Sequence, residues 1–187
     1  MASSPTPSPT SPLLTALRTA TAPAHRALEE RTGGSRILDG SLTLVEYERL
    51  IRWQAAAHRV LEPYAVIEAV GFHSRSRLAS LPETPLSTLD GLQLGDDLPS
   101  RIGVAYVLEG GSLGGSLILR KLRTNPRVAA AAPFPFYAWQ AAHGLQQWRA
   151  FVAYLATLDL SEAEIDRAAQ SAVHTFELFG RLWLEVS

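Results

Sequence analysis

Cysteine is missing from all 187 residues, which removes disulfides, thiolate metal sites and cysteine nucleophiles at once. That absence suits a cytoplasmic protein. An excess of charge is missing too: 17 Lys and Arg stand against 18 Asp and Glu, a net charge of −1. The chain therefore offers no general attraction to nucleic acid or to an anionic membrane, and neither is expected as a partner. No stretch sustains period-two alternation, so no sheet is expected. Neither GxxxxGK[ST] nor GxGxxG occurs, so the two common phosphate-cradling loops are absent. The opening MASSPTPSPTSP has neither the basic start nor the apolar run of a secretory signal. Its prolines, spaced by Ser and Thr with nothing apolar to bury, predict a disordered tail over residues 1–12.

What is present is helical. Leu14, Leu17, Thr21, Ala24, His25 and Leu28 fall at three-or-four spacing and predict a first helix ending near Gly33 and Gly34, kinked or restarted at Pro23. A second runs from Thr43 or Leu44 to about Ala69, with a bend at Pro63, and places His58 on its packed side. Residues 71–99 read as a connection with one short helix around 86–94, in which His73, beside Arg75 and Arg77, is solvated. A glycine-interrupted helix over 98–122 follows. Another spans Tyr137 or Ala138 to Leu158, with Trp139, Leu145, Trp148, Phe151, Val152 and Leu155 along one side. Ser161 and Glu164 form a capping-box pattern opening a last helix to about Glu185. The fold class is all-α: a single-domain helical bundle over residues 13–187, with five or six main helices.

The stretch Val104–Lys121, VAYVLEGGSLGGSLILRK, is the odd one. Gly110, Gly111, Gly114 and Gly115 sit among good helix formers, and each costs about 1 kcal/mol relative to Ala inside a helix. Spaced by four, the pairs Gly110/Gly114 and Gly111/Gly115 would leave a bare strip on one helix face. A membrane span packed through GxxxG fits the composition but is opposed by Glu109 near its middle. Close packing against another helix, a loop, or a helix lying flat on a planar cofactor remain open. His25 is the other candidate, with Glu29 one turn on, where a carboxylate can fix the ring's tautomer and strengthen its other nitrogen as a metal donor.

Taken together, LRTATAPAH at Leu17–His25 with Glu29, and YVLEGGSLGG at Tyr106–Gly115, resemble the heme oxygenases, above all the bacterial type found with bacteriophytochromes. The resemblance implies heme held between a proximal first helix and a glycine-rich distal helix. It implies His25 as the iron ligand, with Glu29 hydrogen-bonded to its ring, Arg18 near a propionate and Phe176 against the heme. Arg149 lies one position from where the family keeps a propionate-binding basic residue. The distal wall would be Gly110, Gly111, Gly114 and Gly115, giving O2 room to reach a meso carbon. Animal-type members carry a distal Asp where this chain continues with Gly111 and Ser112, so Ser112 and backbone carbonyls become the candidates to hold distal water. His143 and His174 read as core or surface residues.

The implied reaction is cleavage of heme to biliverdin, CO and ferrous iron, with the bilin passing to a bacteriophytochrome. Heme is then both substrate and cofactor. The chain has no flavin or iron–sulfur motif, so a separate reductase or ferredoxin must supply electrons. A heme-binding or heme-storage protein using the same His25 is the alternative. A carboxylate-bridged di-metal enzyme would need Glu-x-x-His pairs, which are absent.

Overall fold

The computed structural model describes residues 11–67, 72, 74–83 and 94–186. The expected tail over 1–10, His73 and the short helix expected around 86–94 lie outside the described residues, apart from Leu94 and residues 11 and 12.

The helices follow in the order α1 (Pro12–Thr32), α2 (Ser35–Leu38), α3 (Leu44–Leu61), α4 (Leu98–Gly111), α5 (Gly115–Thr124), α6 (Pro135–Leu155) and α7 (Glu162–Glu185). No strand is present among the described residues. The expected all-α bundle is therefore the observed one.

Local signals account for most boundaries. Pro12 opens α1 where its missing N–H costs nothing, and Gly33 closes it in the left-handed region at φ 67°. The helix runs unbroken through Pro23 rather than restarting there. Thr43 and Glu46 cap each other reciprocally at the start of α3, as Ser161 and Glu164 do at α7. The α-helical part of α3 stops at Leu61, and Pro63 is taken up in a 3-10 segment, Glu62–Ala65.

Two expectations fail in instructive ways. The apolar helix over 98–122 is two helices: α4 ends at Gly111, Ser112–Gly114 form a 3-10 turn, and α5 begins at Gly115. The buried stripe of α6 is Phe136, Tyr137, Gln140, Gly144, Gln147, Phe151 and Leu155, while Leu145 is 54% exposed. Its middle is polar or small because it receives the bend between α4 and α5, where bulk would clash.

α7 is the backing element, packed along both α1 and α4. Against α4 the approach is close: a Cβ on Gly103 would stand 2.7 Å from the Ala172 amide nitrogen. Ser171 Oγ also donates to the Ser100 carbonyl at 2.7 Å. α3 ties to the far end of α7 through Trp53, whose indole N–H donates to the Phe179 carbonyl at 2.7 Å. Arg49 donates to the carbonyls of Val186 and Trp183 and lies over the Trp183 ring.

By length and apolarity the stretch Leu98–Thr124 could cross a membrane, but 56% of its apolar window is buried inside the fold. Glu109 within it is fully buried and paired with Arg77 at 2.7 Å. It is a core helix.

Candidate functional site

Between α1 and the α4–α5 bend lies a cavity of about 1020 Å³, at the upper end of the range for small-molecule sites. Its floor is apolar: Leu50 and Trp53 of α3, Tyr137 of α6, Phe176 and Phe179 of α7. One wall is α1, whose buried stripe of Leu13, Leu14, Leu17 and Thr21 gives way further on to His25, an exposed residue facing the cavity.

His25 has 55% of its side chain exposed and meets Phe176 edge-on at 5.4 Å between ring centroids. Glu29 Oε1 lies 3.8 Å from its Nε2, an ion-pair distance and too long for the hydrogen bond implied by resemblance. Arg18 and Arg26 sit on the same wall at the rim, both exposed.

The opposite wall sorts the four glycines. Gly110, Gly111 and Gly114 line the cavity together with Leu113 and Leu117. A Cβ at Gly111 would meet no atom within 4 Å, one at Gly110 would reach Trp148 at 3.6 Å, and one at Gly114 would only touch the tip of Ile118 at 3.4 Å. None of the three has positive φ, the only such glycines among the described residues being Gly33 and Gly40. Neither backbone strain nor a neighbouring side chain requires glycine at these positions. Something that enters the cavity would.

Gly115 is different. Its Cβ would run into the Cβ of Gln140 and stand 2.9 Å from that residue's carbonyl carbon, so it is a packing notch for α6. The four glycines thus do not form one strip; the 3-10 turn rotates Gly115 off the cavity.

Ser112 also faces away. It is 1% exposed, donates to the Leu108 carbonyl at 3.3 Å and accepts from Arg77 Nε at 3.2 Å, so it braces the bend rather than holding cavity water. Arg149 is exposed on α6 and not part of the cavity wall. His143 packs against Trp139 and His174 is exposed; neither lines the cavity.

One residue that periodicity read as packing also reaches it. His58 is 3% exposed, lines the cavity, and holds Glu62 Oε1 at 3.0 Å through Nδ1. Glu62 also accepts from Ser76 Oγ at 2.5 Å and from the Arg77 amide at 2.8 Å. Burial raises the Glu62 carboxyl, but the bonds from His58, Ser76 and Arg77 outweigh it and leave it below the usual carboxylate range. Arg77, named in the sequence only as a neighbour of His73, is completely buried: it pairs with Glu109, bonds Ser112 and the Arg75 carbonyl, and lies 5.1 Å from the centroid of Trp139. Its place in a turn of arginines and serines gave no apolar period to mark it. The i,i+4 spacing of His58 and Glu62 was the one signal that could have found that pair.

Among the described residues no three His, Asp or Glu side chains gather to hold a metal ion. Of the two imidazoles on the cavity, His58 is buried and tied to Glu62, while His25, exposed to a large apolar slot, suits a metal that brings most of its own ligands in a flat macrocycle, as heme does. The residues present fit that group: one axial donor, a wall without side chains opposite it, and basic residues at the rim.

No curated protein matches the chain. A family model described as heme oxygenase matches residues 90–185, just over half of the sequence. That match spans α4 to α7 and stops short of α1, so the α1 wall is joined to it by the fold and by the cavity the two enclose. Through that match and the all-α architecture around it, the chain belongs to the heme oxygenase family.

Proposed function

We propose that this chain binds heme in the cavity with His25 as axial ligand and degrades it to biliverdin, CO and ferrous iron, drawing electrons from a separate reductase or ferredoxin. The single observation that carries the proposal is that Gly110, Gly111 and Gly114 face the His25 side of one cavity with room for side chains they do not have. When bound, heme supplies the iron that activates O2.

The chain's own residues do the rest. His25 donates a nitrogen lone pair, and Glu29 moving about 1 Å closer would fix the ring's orientation. Phe176, edge-on to His25, and Phe179 pack the apolar plane and exclude water from it. Arg18, on the rim, is placed to pair with an acidic group at the heme edge. The glycine wall keeps bulk off the face opposite His25 and lets oxygen approach the ring edge. The product's use as a phytochrome chromophore is part of the same proposal, carried by the sequence resemblance alone.

Titrating the protein with heme and then adding O2 with ascorbate, or with a reductase and ferredoxin, tests the proposal. The expected result is a stoichiometric complex whose Soret band disappears as biliverdin and iron form. His25→Ala should change the spectrum and abolish turnover until imidazole is supplied. Heme that binds through His25 and persists for hours would instead establish a storage protein.

A further inference from the structure

A flat ring held by one axial bond is free to turn about that bond, so His25 alone does not decide which edge of heme lies beneath the glycine wall. Two other features of the cavity bear on this. The first is where its cations stand. Among the described residues that line it, the arginines are Arg18 and Arg26, both on α1, and no lysine lines it. The α6 edge, where the resemblance placed a basic residue, offers none: Arg149 is exposed and off the wall, and the neighbouring side chain that does line the cavity is Trp148.

The second feature is how that indole is held. Trp148 is half-buried, tilted against Tyr106 of α4 at 5.8 Å and backed by the fully buried Phe151 at 6.0 Å between ring centroids. Tyr106 lines the cavity as well, one turn before Gly110, and a Cβ on Gly110 would reach the indole at 3.6 Å. Contacts on three sides hold the indole as a fixed corner where α6 meets the glycine wall.

Heme carries both its carboxylates on one edge and is apolar along the others. A carboxylate set against the Trp148 face would lose its water, gain no cation and meet the negative face of an aromatic ring. Beside Arg18, at the rim, the same carboxylate is paired. Glu29 and Glu30 stand on that wall about three turns beyond Arg18, which sets the acidic edge toward Arg18 rather than toward them.

We propose that Trp148, braced by Tyr106 and Phe151, is the specificity-determining residue of this cavity: it shuts the α6 edge to the carboxylates of heme and stops the ring from turning about the His25 bond. One meso edge is thereby kept beneath Gly110, Gly111 and Gly114. The proposal rests on the heme-degrading reading above and deepens it by naming what makes the product a single isomer.

Proton NMR of the ferric cyanide complex reads the seating without turnover. Loading the full chain with a hemin that carries methyl groups in place of both vinyls, and whose two faces are therefore equivalent, leaves in-plane rotation as the source of any extra set of ring-methyl resonances. The wild type should give one set. Trp148→Ala should add a second, and Trp148→Arg should make the second set the major one, because a cation then stands at the α6 edge. Trp148→Phe, which keeps a ring at the corner, should give one set again. Biliverdin made from natural heme should follow the same order, a single isomer from the wild type and Trp148→Phe and a mixture from the other two. One unchanged set in both Trp148→Ala and Trp148→Arg, in complexes that still form biliverdin, overturns this proposal and leaves the oxygenase reading standing. Two sets in the wild type, or a second set produced by Arg149→Ala, overturn it as well. Seatings that move as expected in a complex that never forms biliverdin support the role of Trp148 and sink only the oxygenase reading. A chain that takes up no heme sinks both.

Discussion

Glycines that look alike in the sequence have different physical reasons to be glycine. Gly115 and Gly144 are fixed by the protein itself: a Cβ on Gly144 would stand 2.5 Å from the Ser112 carbonyl oxygen, and one on Gly115 would press on Gln140. Gly111 has open space where its side chain would be. Gly115→Ala and Gly144→Ala should therefore destabilise the heme-free protein by about 1 to 3 kcal/mol through overpacking. Gly111→Ala should stabilise it by about 0.5 to 1 kcal/mol, because Ala is the better helix former. Urea unfolding of the three variants checks the signs. Heme titration of Gly111→Ala then checks the reading of the cavity, since the methyl group that helps the empty helix should weaken heme binding or slow its degradation.

His58 makes a second prediction at the same scale. Burial depresses its pKa below the ordinary 6.5, so between the folded and unfolded values the unfolded chain binds more protons and stability rises with pH. The contribution is complete above about pH 6.5 and is lost as pH falls through that window. Glu62, whose carboxyl lies below its ordinary 4.5, adds a further loss at more acid pH. His58→Phe should flatten the first decline and also weaken the second, because the bond from His58 is the largest of those lowering Glu62, and urea midpoints measured from pH 8 down to pH 4 would reveal both changes.

At the scale of elements, the bend between α4 and α5 is held from behind by a buried ionic group. Arg77 and Glu109 are both fully inaccessible and meet at 2.7 Å. Ser112 and Ser74 complete the set, Ser74 Oγ donating to Glu109 at 3.0 Å. Removing one charge leaves the other buried without its partner, so Glu109→Leu should cost about 3 to 5 kcal/mol. Pairing it with Arg77→Met should recover a large part of that loss, because the isolated charge is then gone. A double-mutant cycle read by denaturant unfolding gives the coupling directly. Were the bend indifferent to this group, the double variant would also bind heme as wild type does.

For the whole molecule, α7 sets the width of the slot by packing along both the His25 wall and the glycine wall. Gly103 of α4 lies directly against it, at the backbone of Ala168 and Ala172. Gly103→Val should push α4 outward, lowering melting temperature and heme affinity together. Gly111→Ala, in contrast, should separate the two. Measuring both quantities on both variants distinguishes control of the slot by the scaffold from control by its lining.

The amino-acid sequence alone determined the all-α class, the C-terminal end of α1 and the capping box of α7, and it singled out His25 and the glycine-rich stretch that line one cavity. These are local: helical periodicity, caps and propensity act within a few turns of the chain. The break of the apolar helix at Ser112–Gly114, the assignment of Gly115 to packing and the inward Arg77 were decided only in the tertiary structure. The reason is that each depends on a partner far along the chain. Gly115 is bare because Gln140 lies against it, and Ser112 turns away because Arg77 arrives from a separate segment. Arg77 can be buried only because Glu109 awaits it. A side chain's spacing can announce a helix face, but what that face meets is written in another helix.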